Sequence, residues 1–448
     1  MKYQEKITTS KTGRTLKFLG TGAKIGGNYL KHYAKKALNP ALDSAELHEA
    51  NAGDIYSSLS ELKGSALKVA QMLSMDRGIL PAAYADKFAL SQYMAPPLSA
   101  PLVVRIFKKE IGKSPQELFD AFASNAKNAA SIGQVHQAKL GDKTLAIKIQ
   151  YPGVADSIQS DLRLVRPVAL RMFNLSDKDL DKYMEEVEGK LLEETDYKLE
   201  LKRGQDIARA CSGIEGLRFP EYYPALSGQR ILTMDWMEGE HLNEFLAKNP
   251  SQELRNTLGQ RLWDFYQFQV HQLKTVHADP HPGNFLFQED GTLGIIDFGC
   301  IKEIPRDFYF DYFGLILPEV QSKTYLLEGL MERIEMLYSY DSDEKRGVFI
   351  QAFGRMTELL SRPFATDYFD FSDKAYIEQI YSMGEEISQI PEIRDTRDGR
   401  GSKHMLYINR TYFGLYSLLH SLGAKVKTGL DDWKNEVKEK LNSLNEQP

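Results

Sequence analysis

The chain has 448 residues, 42% of them apolar and 26% charged, with 18 prolines and a net charge of −6. That length suffices for two or three structural units with real cores, and that composition excludes a disordered chain. Two cysteines, Cys211 and Cys300, stand far apart and in no CxxC pair, which excludes a disulfide framework or a structural zinc site and points to a reducing compartment.

Charge is uneven along the chain. Residues 1–40 carry nine Lys/Arg against one Glu, a net of +8, leaving −14 on residues 41–448. The basic amphipathic leader TLKFLGTGAKIGGNYLKHYAKKAL suits an anionic membrane surface or an acidic partner, each charge near such lipid contributing about 1 kcal/mol. A solvated helix with scattered lysines is an equal alternative. Arg14 is the sole arginine there and no cleavage pattern marks a transit peptide. The longest uncharged stretch near the C-terminus, 411–424, is too short to span a bilayer. The expectation is a cytoplasmic protein, peripheral on a membrane at most, with no transmembrane helix and no nucleic-acid partner.

Residues 42–90 read as helices. In SSLSELKGSALKVAQMLSMD the apolar positions Leu59, Leu62, Ala66, Val69 and Leu73 repeat every three or four residues, a buried stripe. Lys68 and Gln71 are neighbours on one face, which alone means solvent exposure. Two further helical patterns follow, and Ser114 with Glu117 fits a capping box. From 128 to 152 the pattern turns to alternation: QVHQAKL, the turn GDK, and TLAIKIQ form a hairpin preceded by the tight loop NAASIGQ. In kinases a Gly-rich loop here covers the phosphates, and the next strand carries V-A-I-K, whose lysine holds them. Here L-A-I-K ends at Lys148. A lysine between Ile147 and Ile149 points opposite to both and on its own would equally face solvent.

RILTMDWMEGEHL reads as a strand over 231–236 and a turn; in a kinase-like chain, backbone groups near Asp235 and Met237 meet adenine. Helical patterns run from 243 to 274. Then comes HADPHPGNFLFQEDGTLGIIDFG, a loop, a short strand, a turn and a second strand ending at Asp297. Such a hairpin returns the chain to its start, so Asn284 and Asp297 can share one cation, with Asp279 facing the hydroxyl or water to be phosphorylated. H-x-D-x-x-x-x-N followed by D-F-G is the set phosphoryl transfer needs. The rivals are an Asp297 that merely starts a turn and a metal site built from His277, Asp279 and His281, against which Pro280 and Pro282 count by breaking a regular strand. Cys300 reads as a small buried filler ahead of a reactive thiol. Helices are predicted over 307–317, 322–340, 344–360, 374–387 and 402–422, none with a pattern that points to chemistry. The aromatic run RTYFGLYSLLHSLGA reads as core ahead of a lipid-binding surface.

Taken together, LKVAQMLS, AASIGQVH, AIKIQYPGV, EETDYKLE, HADPHPGNF and IIDFG resemble the UbiB family of atypical protein-kinase-like proteins, associated with quinone-lipid biosynthesis, over residues 50 to at least 305. Lys68 and Gln71 match its K-x-G-Q helix, with Ala70 in place of Gly. Ala129, Ala130 and Ser131 match its alanine-rich loop, with Asn128 in place of the first alanine. Glu194 and Asp196 match its E-x-D, Glu194 reaching Lys68, and Glu200 is the implied partner of Lys148. For these acids a solvated helix face is the plain alternative. The resemblance implies a two-lobed protein-kinase-like α+β fold with an N-terminal helical extension and a largely helical C-terminal part. The corresponding division is a basic segment 1–41, an extension 42–95, an N-lobe 96–233, a C-lobe 234–340 and a helical part 341–448. It implies ATP and Mg2+ as cofactors. Lys148 and Glu200 act at the phosphates, Asn284 and Asp297 at magnesium, and Asp279 at the acceptor. Lys68, Gln71 and the alanine-rich loop restrain protein phosphorylation. The expected function is an atypical kinase or ATPase serving a quinone-precursor or other isoprenoid lipid. The alternatives are a small-molecule phosphotransferase, a true protein kinase, or a nucleotide-sensing lipid-binding module without turnover.

Overall fold

The computed structural model describes residues 98–445 apart from 131, 174–176, 395–399 and 430–431. The basic leader, the predicted helices of 42–90, and Lys68 and Gln71 lie outside the described residues. Contacts divide the described chain into two compact units, 98–205 with Pro220–Trp236 and Asp206–Phe219 with Met237 onward.

In the first unit, helix α1 (Ala100–Glu110) buries Val103, Ile106 and Phe107. The Ser114/Glu117 capping box forms one turn later. Phe107, Phe119 and Phe122 make edge and stacked contacts, and His136 stacks on Phe122 at 5.0 Å. Strands β1 (Ala121–Phe122), β2 (Asn128–Ala130), β3 (Gly133–Leu140) and β4 (Lys143–Gln150) follow. After them come helices α2 (Val154–Phe173), α3 (Asp177–Glu194) and α4 (Tyr197–Ala210), then β5 (Leu217–Arg218) of the second unit and β6 (Ile231–Asp235). The antiparallel order is β1-β3-β4-β6, with β2 also on β3. The predicted hairpin forms, with Gln134 opposite Ile149 and Val135 opposite Lys148, and its turn is shorter than GDK because Lys143 already pairs with Leu140. Gly133 is required by contact and not by φ: a Cβ there would stand 2.4 Å from the Ile149 carbonyl oxygen. Leu145, Ile147 and Ile149 are wholly buried, each such side chain contributing about 1.5–3 kcal/mol.

The second unit is mainly helical. The predicted run 243–274 is broken where Asn249 turns left-handed (φ 53°). It restarts as α5 (Gln252–Phe268), capped by Ser251 Oγ, which accepts from the Leu254 N–H at 3.2 Å. A π-turn, Gln269–Leu273, ends this run at left-handed Lys274. Strand β7 (Thr275–His277) pairs antiparallel with β10 (Ile301–Glu303), and β8 (Phe285–Phe287) with β9 (Leu293–Ile295), which β5 joins in parallel. The C-terminal helices are α6 (Arg306–Gly314), α7 (Thr324–Arg333), α8 (Asp343–Ser361), α9 (Lys374–Gln389), α10 (Lys403–Leu422) and α11 (Asp432–Asn445). Helix α7 stops well short of the predicted 340, because Glu335 is left-handed (φ 64°). The aromatic run is core: Tyr412, Leu415, Tyr416, Leu419 and Leu422 are buried, and Tyr412 and Tyr416 pack on Phe364 and Phe371. Gly259 of α5 lets Ala424 approach, since a Cβ would come within 2.5 Å of it. Cys211 and Cys300 are both buried and in no disulfide, as fillers are. Among the described residues no helix is long and apolar enough to cross a membrane.

Candidate functional site

In the first unit Lys148 does not face solvent. Both faces of β4 are covered, and Lys148 is 8% exposed. Its Nζ donates to Glu200 Oε1 at 2.8 Å and Oε2 at 3.0 Å, and lies 5.2 Å from the Tyr197 ring centre. Glu200, 2% exposed, is on no solvated face. It sits in the first turn of α4, where the helix dipole favours a carboxylate. That turn is placed by Asp196, whose Oδ1 accepts from the Lys198 and Leu199 N–H groups at 3.1 Å each, an N-cap. Gln150, two residues beyond Lys148, donates from Nε2 to the Thr195 carbonyl at 2.9 Å and so ties the end of β4 to the same cap. Strand and helix are thereby joined twice, by an ion pair and by an amide. Glu194, at the end of α3, is half-buried, and its expected partner Lys68 lies outside the described residues.

The alanine-rich stretch is the edge strand β2, with Ala129 opposite Gln134 and Ala130 opposite Gly133; Ser131 lies outside the described residues. Beyond it the GQVH segment is structural. Gln134 Oε1 accepts from the Leu98 N–H at 2.7 Å, its Nε2 meets His136 Nε2 at 2.6 Å, and His136 Nδ1 meets the Ala123 carbonyl at 2.7 Å. Asp235 is also structurally engaged: its carboxylate accepts from Tyr223 Oη at 2.7 Å and from the Glu221 N–H at 3.1 Å. The Asp235 N–H bonds Glu221 O and the Trp236 N–H bonds Thr144 O, so neither amide is open to adenine.

In the second unit the hairpin closes as its residues predict. Phe285 pairs with Ile295, and the Ile296 N–H donates to the Asn284 carbonyl at 3.1 Å. Asn284 and Asp297 therefore flank one end of the β8–β9 pair. Asn284 Nδ2 donates to the Asp279 carbonyl at 2.9 Å and to Asp279 Oδ2 at 3.3 Å. With its nitrogen so committed, Asn284 turns its oxygen the other way. Asp297 Oδ1 accepts from the Gly299 N–H at 3.0 Å. Asp279, Asn284 and Asp297 are half-buried amid buried neighbours such as Ala278, Phe285 and Phe298. An amide oxygen and carboxylate oxygens are hard donors, which fit Mg2+.

His277 is no metal ligand. Fully buried, it meets the Asp297 carbonyl through Nε2 and accepts the Asp279 N–H at Nδ1 (3.4 Å). These two contacts define an Nε2–H ring that bridges the two loops. His281 Nδ1 accepts from the Gly283 N–H at 3.0 Å, closing the turn Pro282–Asn284. Among the described residues no cluster of three or more His, Cys, Asp and Glu is placed to hold a metal, and a magnesium pair of one Asn and one Asp needs none. Two residues escaped the sequence reading. The sequence offers His277 as the head of H-x-D or as a rival metal ligand, and neither reading contains its role as a brace between the two loops. Arg410, 131 positions from Asp279, donates from Nη2 to Asp279 Oδ1 at 2.9 Å, and no local pattern announces it.

The family model described as the ABC1 atypical kinase-like domain matches residues 91–325. The chain is 26% identical to the probable serine/threonine-protein kinase abkA of Dictyostelium discoideum, over 95% of this chain and 79% of that one. It is 25% identical to the mitochondrial atypical kinase COQ8 of Saccharomyces cerevisiae, over 94% and 83%. An aarF domain-containing chloroplastic kinase of Arabidopsis thaliana is 30% identical, and the match spans about half of it (47%). Among solved structures, Rv3197 of Mycobacterium tuberculosis, in complex with erythromycin, aligns with a TM-score of 0.58 and 26% identity, over 89% of this chain and 97% of that one. The fold is thus two-lobed, mixed α+β and kinase-like, and the chain belongs to the UbiB/ABC1 family of atypical kinase-like proteins.

Proposed function

We propose that the protein binds Mg-ATP and hydrolyses or transfers its terminal phosphoryl group in support of quinone or other isoprenoid-lipid metabolism. The observation that carries the reading is the buried Lys148–Glu200 pair. An ammonium held by both oxygens of one carboxylate is a fixed point charge, suited to the α/β-phosphates. Asn284 and Asp297 hold the magnesium ion, which when bound neutralises charge on the phosphates. Asp279 accepts a hydrogen bond from the attacking hydroxyl or water and orients it. Ala129, Ala130 and Ser131 cover the phosphates with backbone N–H groups, while the Asp235 carbonyl and Met237 meet adenine. Lys68, Gln71 and the alanine-rich loop, with Glu194 and Asp196 of the same family motif, restrain protein phosphorylation, which favours ATP hydrolysis coupled to a lipid or a partner protein. The lipid assignment rests on the resemblance to UbiB proteins, and the basic leader supplies contact with an anionic membrane surface.

Steady-state Mg-ATP hydrolysis, measured with and without anionic vesicles and a quinone-precursor phenol, tests this. Stimulated turnover is the expected result. Tight nucleotide binding with no turnover under any condition favours a nucleotide-sensing module, and absence of binding overturns the proposal.

A further inference from the structure

Helix α10 lies beyond the residues 91–325 that the family model matches, yet one of its faces meets the candidate catalytic loop. Arg410 Nη2 donates to Asp279 Oδ1 at 2.9 Å, with the two side chains 15% and 16% exposed. One turn on, Gly414 meets the next residue of the loop: a Cβ there would stand 2.1 Å from Pro280 Cγ and 2.7 Å from Pro280 Cβ. Only glycine lets the helix backbone come that close. One turn earlier, the Tyr407 ring lies 4.7 Å from the ammonium of Lys302 on β10, the strand that follows Gly299. Positions 407, 410 and 414 are spaced three and four apart and share one helical face. Successive turns of that face thus meet the strand after Gly299, Asp279 and Pro280. The ion pair and the steric contact are independent observations of the same seat.

We propose that Arg410 is a positioning residue for phosphoryl transfer, holding Asp279 by one carboxylate oxygen with α10 as a rigid mount. A carboxylate oxygen has two acceptor positions, so pinning Oδ1 to the guanidinium, with Asn284 at Oδ2, sets the direction in which the carboxylate accepts from the attacking hydroxyl or water. An arginine suits the task because its planar fork is stiff, whereas a lysine supplies the same charge on a rotatable point. Gly414 sets how far the mount stands from the loop. The inference rests on the reading that Asp279 orients the acceptor, and it adds a device outside the matched domain on which that orientation depends.

Full-length Arg410→Met, Arg410→Lys and Gly414→Ala test it by three measurements. These are kcat for Mg-ATP hydrolysis, the Kd of a non-hydrolysable Mg-ATP analogue, and amide exchange over 278–285. Arg410→Met is expected to lower kcat about 10- to 100-fold, the scale of a small misplacement of a reacting group, with Kd changed less than about twofold, since only the oriented step is lost. Arg410→Lys recovers part of the rate, and Gly414→Ala lowers kcat in the same way although its guanidinium is intact. Exchange at the Gly283 and Asn284 amides, both bonded to His281, quickens in Arg410→Met. A kcat that is unchanged or raised in Arg410→Met overturns the proposal, as does a Kd that weakens in step with kcat. If the unaltered protein neither binds nor hydrolyses Mg-ATP, the functional reading fails by itself. The exchange data still decide the seat: slow, unaltered exchange in Arg410→Met overturns it, and faster exchange upholds it.

Discussion

At Glu200, a carboxylate only 2% exposed lies against an ammonium only 8% exposed. Deleting one partner of such a pair leaves the other buried and uncompensated, at a cost of roughly 3–5 kcal/mol. Glu200→Ala is therefore expected to lose about that much stability in urea titration of the first unit; a loss below about 1 kcal/mol would mean that water reaches Lys148 with ease. Lys148→Arg keeps the charge but spreads it over a planar fork, so nucleotide affinity should fall. Isothermal titration with Mg-ATP reads this, and equal affinity would remove Lys148 from the phosphates. Asp297→Asn takes away the only charge in the proposed magnesium pair. A ligand at 100 times its Kd stabilises by about 2.7 kcal/mol, and in this variant the Mg-ATP shift in Tm should vanish. A full shift would refute the assignment of Asp297.

At the scale of elements, local chemistry places the site by starting helices and closing hairpins. Asp196 caps α4 and so fixes the turn that carries Glu200. Asp196→Ala should cost about 1 kcal/mol, as caps do. Because Gln150 still grips Thr195, the helix start should loosen without unfolding; circular dichroism melts that show no loss would argue against the cap. Gly133→Ala puts a methyl group against the Ile149 carbonyl oxygen, and such crowding typically costs about 1–3 kcal/mol. Much at this level was legible beforehand. The capping box at Ser114, the hairpin carrying Lys148 and the hairpin carrying Asn284 and Asp297 are each specified within a few residues of themselves. The reading went wrong where one backbone angle overrode periodicity, at Asn249 and Glu335. Asn249, followed by Pro250, does carry a helix-stop signal, whereas Glu335 carries none.

Across the whole molecule, buried imidazoles tie stability to pH. His271 is fully enclosed, bonded to Tyr309 Oη at 2.9 Å and Gln267 Oε1 at 3.0 Å, and stacked on Trp433 at 4.4 Å. Burial, helped by the charge of Lys274, holds its pKa well below the ordinary 6.5. Burial also lowers that of His136 in the first unit, against the opposing pull of the Ala123 carbonyl. Both rings are neutral when folded and take up a proton more readily when unfolded. Their contribution is complete above about pH 6.5 and is lost as pH falls below it. Urea midpoints should therefore drop between pH 7 and 5, and His271→Asn should flatten part of that drop; a midpoint constant across the range would contradict this. What the sequence by itself determined was the set of local devices: the two hairpins, the caps, and an Asp, an Asn and an Asp at kinase spacing. Each depends on neighbours within about twenty residues, where spacing along the chain translates directly into spacing in the fold. What only the tertiary structure decided was which distant groups complete them. Lys148 could have faced solvent until β4 was seen covered on both sides, with Glu200 lying 52 residues away against it. Arg410 reached Asp279 across 131 residues, on a helix whose sequence signals nothing but a core. Contacts at that range follow from the packing of whole elements, and no periodicity within either segment records them.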